Sequence, residues 1–298
     1  MKKNSGFERF YTEKKGAAKK EQFRQEKRKW KKERQEDIDK KKQQSIEKTR
    51  PVIQKQPTES QMPLNKYIAH CGICSRREAV DIIKEGKVKV NGNVISEPGY
   101  KVTFKDEVKI SNKKIQPVKD LIYILLNKPK DYITTTDDPQ QRRTVLDLIN
   151  NATKERVYPV GRLDRNTSGV LLLTNDGELS QRLTHPSNEI KKVYAATLNR
   201  PLDKKDFDAI LKGVPLDDGI ATVDVLAYTS ADKTEIGIEL HNGRNRIVRR
   251  IFEHFGYDVK SLDRVVFAGL TKKNVQRGKW RYLSEKEVRD LKFFKKGK

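Results

Sequence analysis

Between Val157 and Gly169 the sequence reads Val-Tyr-Pro-Val-Gly-Arg-Leu-Asp-Arg-Asn-Thr-Ser-Gly. One carboxylate, Asp164, stands between Arg162 and Arg165 in a turn that leads into the apolar run Val170 to Leu173. A carboxylate so placed is oriented, and the side chains from Arg162 to Ser168 offer more charge and hydrogen-bonding capacity than a plain connection needs. Asn, Thr, Ser and Gly are also ordinary turn residues, so a purely structural bend stays open at this point. Glycoside hydrolysis usually takes a second carboxylate to protonate the leaving group or to activate water, and no convincing second one lies nearby.

Further along, Ile247, Val248, Ile251, Phe252 and Phe255 form an apolar stripe at helical spacing over 244–255, with Arg246, Arg249 and Arg250 off it. Arg249 could pair with Glu253 four residues on. Arg246 and Arg250 are also four apart and repel, which is easier to explain if phosphates or a carboxylate sit opposite. His70, Cys71 and Cys74 offer three zinc-type ligands but no fourth and no second cysteine pair, so buried thiols are the better reading. No metal and no glycine-rich phosphate loop is expected.

The elements around these residues follow from composition and periodicity. The chain has 298 residues with 65 Lys and Arg against 41 Asp and Glu, a net charge of +24 that draws a polyanion. Residues 1–60 hold twenty basic and ten acidic residues without an apolar stripe and read as a basic, disordered arm, either a tether to RNA or a solubilising tail. No N-terminal apolar segment resembles a signal, and the run Leu121 to Leu126 is far too short to span a bilayer, so a cytoplasmic protein is expected. Leu64, Tyr67, Ile68 and Cys71 are spaced for a helix, Ser75-Arg-Arg-Glu78 looks like a capping box before Ala79, Ile82 and Ile83, and Asn91-Gly92 is a hairpin turn. Strands are expected at 121–129, 169–177, 193–199, 221–229, 235–241 and 265–270, and helices at 178–184, 203–212 and 244–255. That order argues for an α+β fold with a largely antiparallel, mixed sheet.

The stretch from Leu64 to Gly99 resembles the S4 RNA-binding domain. The resemblance implies that Ser75, Arg76 and Arg77, with Lys84, Lys87, Lys89 and Asn91, face RNA phosphates, which fixes position without reading sequence. Organisation is accordingly expected as an arm over 1–60, an S4 domain over 61–110, a linker over 111–120, a catalytic domain over 121–290 and a basic tail over 291–298.

Gly-Arg-Leu-Asp-Arg-Asn-Thr-Ser-Gly-Val-Leu-Leu-Leu-Thr-Asn-Asp-Gly-Glu-Leu, 161–179, resembles the central motif of the RsuA/RluB/RluF family of ribosomal RNA pseudouridine synthases. LNKPKDYITTT at 126–136, KVYAAT at 192–197 and HNGRNRIVRRIFEHFG at 241–256 resemble its other motifs in the same order, over roughly 63–285. The resemblance implies that the N1–C1′ bond of uridine is broken, the uracil turned, and C5 joined to C1′, with no cofactor. Asp164 matches the essential aspartate, which attacks the sugar or removes a sugar proton, and either role needs an ionised carboxylate beside C1′. Arg249 matches the cation that opposes desolvation of that aspartate, and Tyr194 the tyrosine that packs on the uracil. The target must leave the RNA stack. Arg162 and Arg165 are candidates for the vacated place, with Asn166 and Thr167 beside them, while Lys128, Arg244, Asn245 and Arg246 are expected to clamp the flanking backbone. Ile247 stands where the family usually has glutamine, and His241-Asn242 replaces its usual acidic lead. A monomer acting on ribosomal RNA or an assembling subunit is expected, large-subunit RNA before small-subunit RNA. The rival reading is an RNA-binding assembly factor that catalyses nothing.

Removing residues 1–60 takes away twice as many basic as acidic groups. RNA affinity measured across a salt series is expected to weaken and to depend less steeply on salt than that of the full chain; an unchanged slope would reduce the arm to a tail.

Overall fold

The computed structural model describes residues 61–118 and 120–293, together with Lys29, Glu33, Arg34 and Glu36, which are helical. The rest of the expected arm and residues 294–298 of the basic tail lie outside the described residues. The chain divides into two units, Met1–Glu59 and Ser60–Lys298, and the second is built in two parts.

Its first part is built from α1 (Leu64–His70) and α2 (Arg76–Lys84) with six short strands: β1 (Met62–Pro63), β2 (Val88–Val90), β3 (Asn93–Val94), β4 (Lys101–Val102), β5 (Val108–Ile110) and β6 (Lys113–Ile115). The capping box forms as read: the Ser75 hydroxyl accepts from Glu78 N at 3.2 Å, and the Glu78 carboxylate accepts from Ser75 N at 2.7 Å. Asn91 and Gly92 both have positive φ, at 50° and 90°, the backbone of a type I′ turn, and they join β2 to β3. Leu64, Tyr67, Ile68, Ala79 and Ile83 are buried together.

The second part is one mixed sheet in the order β13-β14-β10-β15-β9-β7-β17, with β8 (Tyr158–Pro159) and β16 (Leu270–Thr271) paired at its margins. The strands are β7 (Tyr123–Lys128), β9 (Thr167–Thr174), β10 (Lys192–Leu198), β13 (Val225–Tyr228), β14 (Glu235–Leu240), β15 (Val259–Phe267) and β17 (Trp280–Tyr282). Of its pairings only β15 with β9 is parallel; the rest are antiparallel. Every residue of β7 and β9 is buried, which explains their unbroken apolar runs: the sheet is covered on both faces. Ile124, Leu126, Leu171 and Leu173 point into one core, shared with α4 (Lys204–Lys212) and α5 (Ile247–His254). Tyr123, Leu125, Val170 and Leu172 point into the other, shared with α3 (Gly177–Thr184) and α6 (Glu285–Lys292). A hairpin of β11 (Val214–Leu216) and β12 (Gly219–Ala221) completes the fold.

Three expectations are corrected. The helix expected over 244–255 starts only at Ile247, because Arg246 takes a left-handed backbone, φ 49°. The strand expected over 265–270 begins earlier, at Val259, and stops at Phe267, where Ala268 and Gly269 turn with φ of 50° and 80°. The strand expected over 169–177 ends at Thr174, and Asp176 instead caps α3 by accepting from Leu179 N at 3.0 Å.

Gly169 lies opposite Arg264 in the parallel pair and has φ 114°. A Cβ there would overlap the Arg264 carbonyl oxygen and lie 2.6 Å from the Arg264 nitrogen. Gly169→Ala is therefore expected to destabilise the fold by about 3 kcal/mol or more, read as a thermal midpoint lowered by roughly 6 °C or more; an unchanged midpoint would contradict this packing.

Candidate active site

The turn that carries Asp164 is the lead into β9, and three anchors fix it. Leu163 is buried in the core, its carbonyl accepting from Thr134 Oγ1 at 2.8 Å. Thr167 N closes the turn by donating to Asp164 O at 3.0 Å. Beneath it lies Lys128, wholly buried at the end of β7, whose Nζ donates to the carbonyls of Pro129, Asp164, Arg165 and Thr167 at 2.9–3.2 Å. Lys128 is therefore not placed as the expected clamp on an RNA backbone: its ammonium is turned inward and spent on the loop. Burial pushes its pKa down to about 8, against the smaller opposing pull of Asp164 and Asp131.

Asp164 and Tyr194 line one cavity of about 450 Å³. Arg162, Arg165, Thr167, Arg244, Asn245 and Arg246, all expected at the site, line it too. Among the lining residues Asp164 is the one carboxylate, facing the cations of Arg162, Arg165, Lys192, Arg244, Arg246 and Arg264. Among the described residues its carboxylate oxygens have no hydrogen-bond or ion-pair partner. Tyr194 is buried on β10 and sits between Ile238 of β14 and Arg264 of β15 in register.

The cations are not equivalent. Arg162 and Arg165 are exposed, and Arg165 reaches Asp131 at 3.3 Å. Arg244 is committed to the β11–β12 hairpin, with Nη1 donating to Asp218 O, Asp218 Oδ1 and Gly219 O and Nη2 to Ile220 O at 2.7–2.9 Å. Arg250 grips the same Asp218 through both terminal nitrogens, at 2.7 and 2.9 Å. A carboxylate thus does sit opposite Arg250, which relieves its repulsion with Arg246; Arg250, with the smaller help of Arg244, holds the Asp218 carboxyl down at about 2. Arg246 pairs with Glu253 at 3.4 Å.

Arg249 and Asn166 line an adjoining cavity of about 500 Å³ with Lys130, Glu253, Asp258, Val259 and Lys260. The Arg249 guanidinium donates to Val259 O at 2.6 Å and to Asn166 O at 3.5 Å. It thus meets the backbone of the Asp164 turn and not the carboxylate. Burial and Arg246 lower its pKa, and the Asp164 charge opposes them.

In the first part of the unit Arg76, Arg77 and Lys84 are exposed. Other expected phosphate contacts carry structural bonds: Ser75 caps α2, Lys87 pairs with Glu85 at 2.6 Å, Lys89 donates to Asn112 Oδ1 at 3.2 Å, and Asn91 bridges Asp106 and Glu107 N. Cys71 is half-buried and Cys74 buried as free thiols, and burial pushes Cys71 up to about 12.

Residues 122–254 match the model of the RNA pseudouridylate synthase family, and residues 62–108 that of the S4 domain. The chain is 41% identical over 232 residues to the ribosomal large subunit pseudouridine synthase B of Bacillus subtilis, covering 76% of this chain and 94% of that protein. The chain belongs to the RNA pseudouridine synthase family. It is also 36% identical over 236 residues to the dual-specificity RNA pseudouridine synthase RluF of Escherichia coli, covering 78% of this chain and 79% of RluF. A solved pseudouridylate synthase superposes with a TM-score of 0.56 at 26% identity, covering 77% of this chain and 99% of that one. The cavity above β10 and β15 is where this chain brings a carboxylate and an aromatic ring together.

Lys192 and Arg264 are cavity residues that sequence reading did not single out. The signal for Lys192 is its place in the motif KVYAAT, two positions before Tyr194; Arg264 stands one residue before the strand expected over 265–270.

Lys128→Met removes the four-carbonyl clamp and a buried charge together, two effects of opposite sign on stability. The single-turnover rate on RNA is expected to fall at least tenfold, on the order of one lost buried polar contact, while the thermal midpoint moves by no more than about 5 °C. The pH dependence checks the charge. Lysine's ordinary 10.5 drops to about 8 in the folded chain, so between those values the unfolded chain keeps a proton that the folded chain has shed. Wild-type stability is therefore expected to gain on Lys128→Met as pH rises from 8 to 10.5 in urea titrations; a constant difference would show that Lys128 is not buried as a disfavoured cation.

Proposed function

We propose that this chain isomerises uridine to pseudouridine in ribosomal RNA, large-subunit RNA in the first place, with Asp164 as the group that meets C1′. The observation that carries the reading is the cavity itself: one carboxylate whose oxygens have no partner among the described residues, a buried tyrosine ring and a surround of arginine and lysine. As the N1–C1′ bond opens, C1′ turns electron-poor, and a carboxylate without a competing partner can attack it or steady it. The names of the Bacillus subtilis and Escherichia coli relatives support an RNA target, and the former a large-subunit one.

Tyr194 gives the uracil a face to stack on. Arg162 and Arg165, exposed at the rim, take the place that the extruded nucleotide vacates or hold its phosphates. Asn166 and Thr167 shape the turn between the two cavities. Asn245 and Arg246 contact the flanking backbone, with Arg244 fixing the loop they stand on. Arg249 acts as a positioning residue through the Asn166 carbonyl. On the S4 domain, Arg76, Arg77 and Lys84 meet phosphates and orient the enzyme on its RNA. The protein works in the cytoplasm as a monomer on ribosomal RNA or an assembling subunit; among the described residues no helix is long and apolar enough to cross a membrane.

Asp164→Ala is expected to abolish pseudouridine formation, assayed by mapping modified uridines after incubation with ribosomal RNA, while RNA affinity stays within about threefold because the phosphate contacts remain. A variant that still modifies RNA would remove Asp164 from the reaction. A wild-type chain that binds ribosomal RNA tightly but modifies none would favour an assembly factor.

A further inference from the structure

Two cations on the floor of the cavity have no assigned duty. Arg264 faces Tyr194 across β10 and β15, is 2% exposed and lines the cavity. Its Nε donates to Val170 O at 2.9 Å, its guanidinium lies 4.4 Å from the Phe267 ring centre, and its Nη2 has no hydrogen-bond partner among the described residues. Burial disfavours its charge, and the Tyr194 phenol is the group that favours it. Lys192 lines the same cavity. Its Nζ donates to the carbonyls of Ile190 and His241, at 2.8 and 2.7 Å, and keeps a third N–H. Among the described residues neither cation forms an ion pair. Burying cations without counter-ions costs free energy, and the cost is offset when an anion arrives.

The reaction supplies one. When N1–C1′ breaks heterolytically, the bond pair stays on the uracil, whose charge spreads over N1 and the two carbonyl oxygens. The sugar carbon is left electron-poor toward Asp164, which cannot also serve the negative base. After the base turns, C5 bonds to C1′, the C5 proton is lost, and N1 takes up one proton, so that the isomerisation balances.

We propose that Arg264 and Lys192 hold the detached uracil as an anion by donating N–H bonds to its carbonyl oxygens, which makes them catalytic residues for the cleavage step. The proposal rests on the reading of the Asp164 cavity as a pseudouridine synthase site. A phosphate contact by the same cations is the competing outcome.

Leaving-group dependence tests it. A ribosomal RNA fragment that the full-length wild type modifies is prepared with uridine or 5-fluorouridine at the target. Fluorine withdraws electrons and stabilises the detached anion, and it replaces the proton lost from C5, so disappearance of 5-fluorouridine reports cleavage and rejoining alone. In single-turnover assays Arg264→Met is expected to slow the uridine reaction about 100-fold or more, the scale of one lost donor to a developing anion. The loss on 5-fluorouridine is expected to be about tenfold or less, with RNA Kd within about threefold and partial recovery in Arg264→Lys. Lys192→Met, at a less buried position, is expected to show the same difference between substrates, and it carries the test if Arg264→Met does not fold. Equal losses on both substrates, or a loss in Kd alone, would overturn the proposal. The wild-type rate on uridine reports the underlying reading separately: if no pseudouridine forms in any ribosomal RNA fragment, that reading fails and the leaving-group role falls with it.

Discussion

The buried Lys128 ammonium is the contact on which the geometry of the site depends. Four carbonyl oxygens, three of them from the turn 164–167, converge on one nitrogen. Backbone carbonyls pointing into a protein interior need a donor, and a turn leading into a strand buried along its whole length cannot turn all of them to water. An ammonium is compact and has three donors to share among the four, which no neutral side chain of similar reach provides. The pKa of about 8 shows the cost of keeping that charge away from water. The fold accepts this cost at the end of β7, next to the strand whose start it must fix.

That start is fixed a second time from the other side. The parallel register sets Thr167, Ser168 and Gly169 against Leu262, Asp263 and Arg264, and Gly169 lets the backbones approach where any Cβ would collide. Arg264 is therefore part of the wall that positions Asp164 and also part of the cavity floor, where its proposed role is to receive the base. Its neighbour Asp263 holds Lys272 and Arg277, so the charges of this strand segment are separated: the acid is neutralised on one side, and the guanidinium at 264 is left unneutralised on the other. The cavity combines one free carboxylate with a positive surround because the other nearby acids, Asp218 and Asp263, are occupied by cations that belong to the scaffold.

Local signals were legible in the sequence, and non-local bonds were not. The capping box at Ser75, the turn at Asn91-Gly92 and the apolar centres of the strands expected over 121–129 and 169–177 each follow from neighbours within a few residues, where periodicity and turn chemistry decide. The two-sided burial of the sheet made its central strands read as unbroken apolar runs. The first half of β15 was hidden because Lys260, Asp263 and Arg264 interrupt the apolar pattern, and their partners lie on strands and loops far away in sequence. The start of α5 was misjudged for a related reason: the apolar stripe says where a helix is buried, but the left-handed Arg246 that interrupts the backbone carries no signal in composition. Asp164 and Tyr194 could be singled out by type and motif. That Lys128 and Arg244 are turned into the protein could not, since an inward-facing cation and an RNA-facing one look alike until their acceptors are known.

The position of Arg249 gives the arrangement its last constraint. With Asp164 proposed as the group that meets C1′, a guanidinium locked on its carboxylate by two hydrogen bonds would occupy the oxygens needed for that contact. In the structure the guanidinium instead meets the Asn166 and Val259 carbonyls from the neighbouring cavity, while its charge and that of Asp164 still attract through space. The turn 162–167 thus acts as a partition: its acid faces the cavity of about 450 Å³ on one side, and its backbone is held by a cation on the other. An arginine behind the partition can oppose the desolvation of the acid without competing for its lone pairs, whereas one in front of it would have to move before each turnover. Electrostatic support delivered from behind is already in place when the substrate arrives, which is the condition under which fixed charges lower a barrier most.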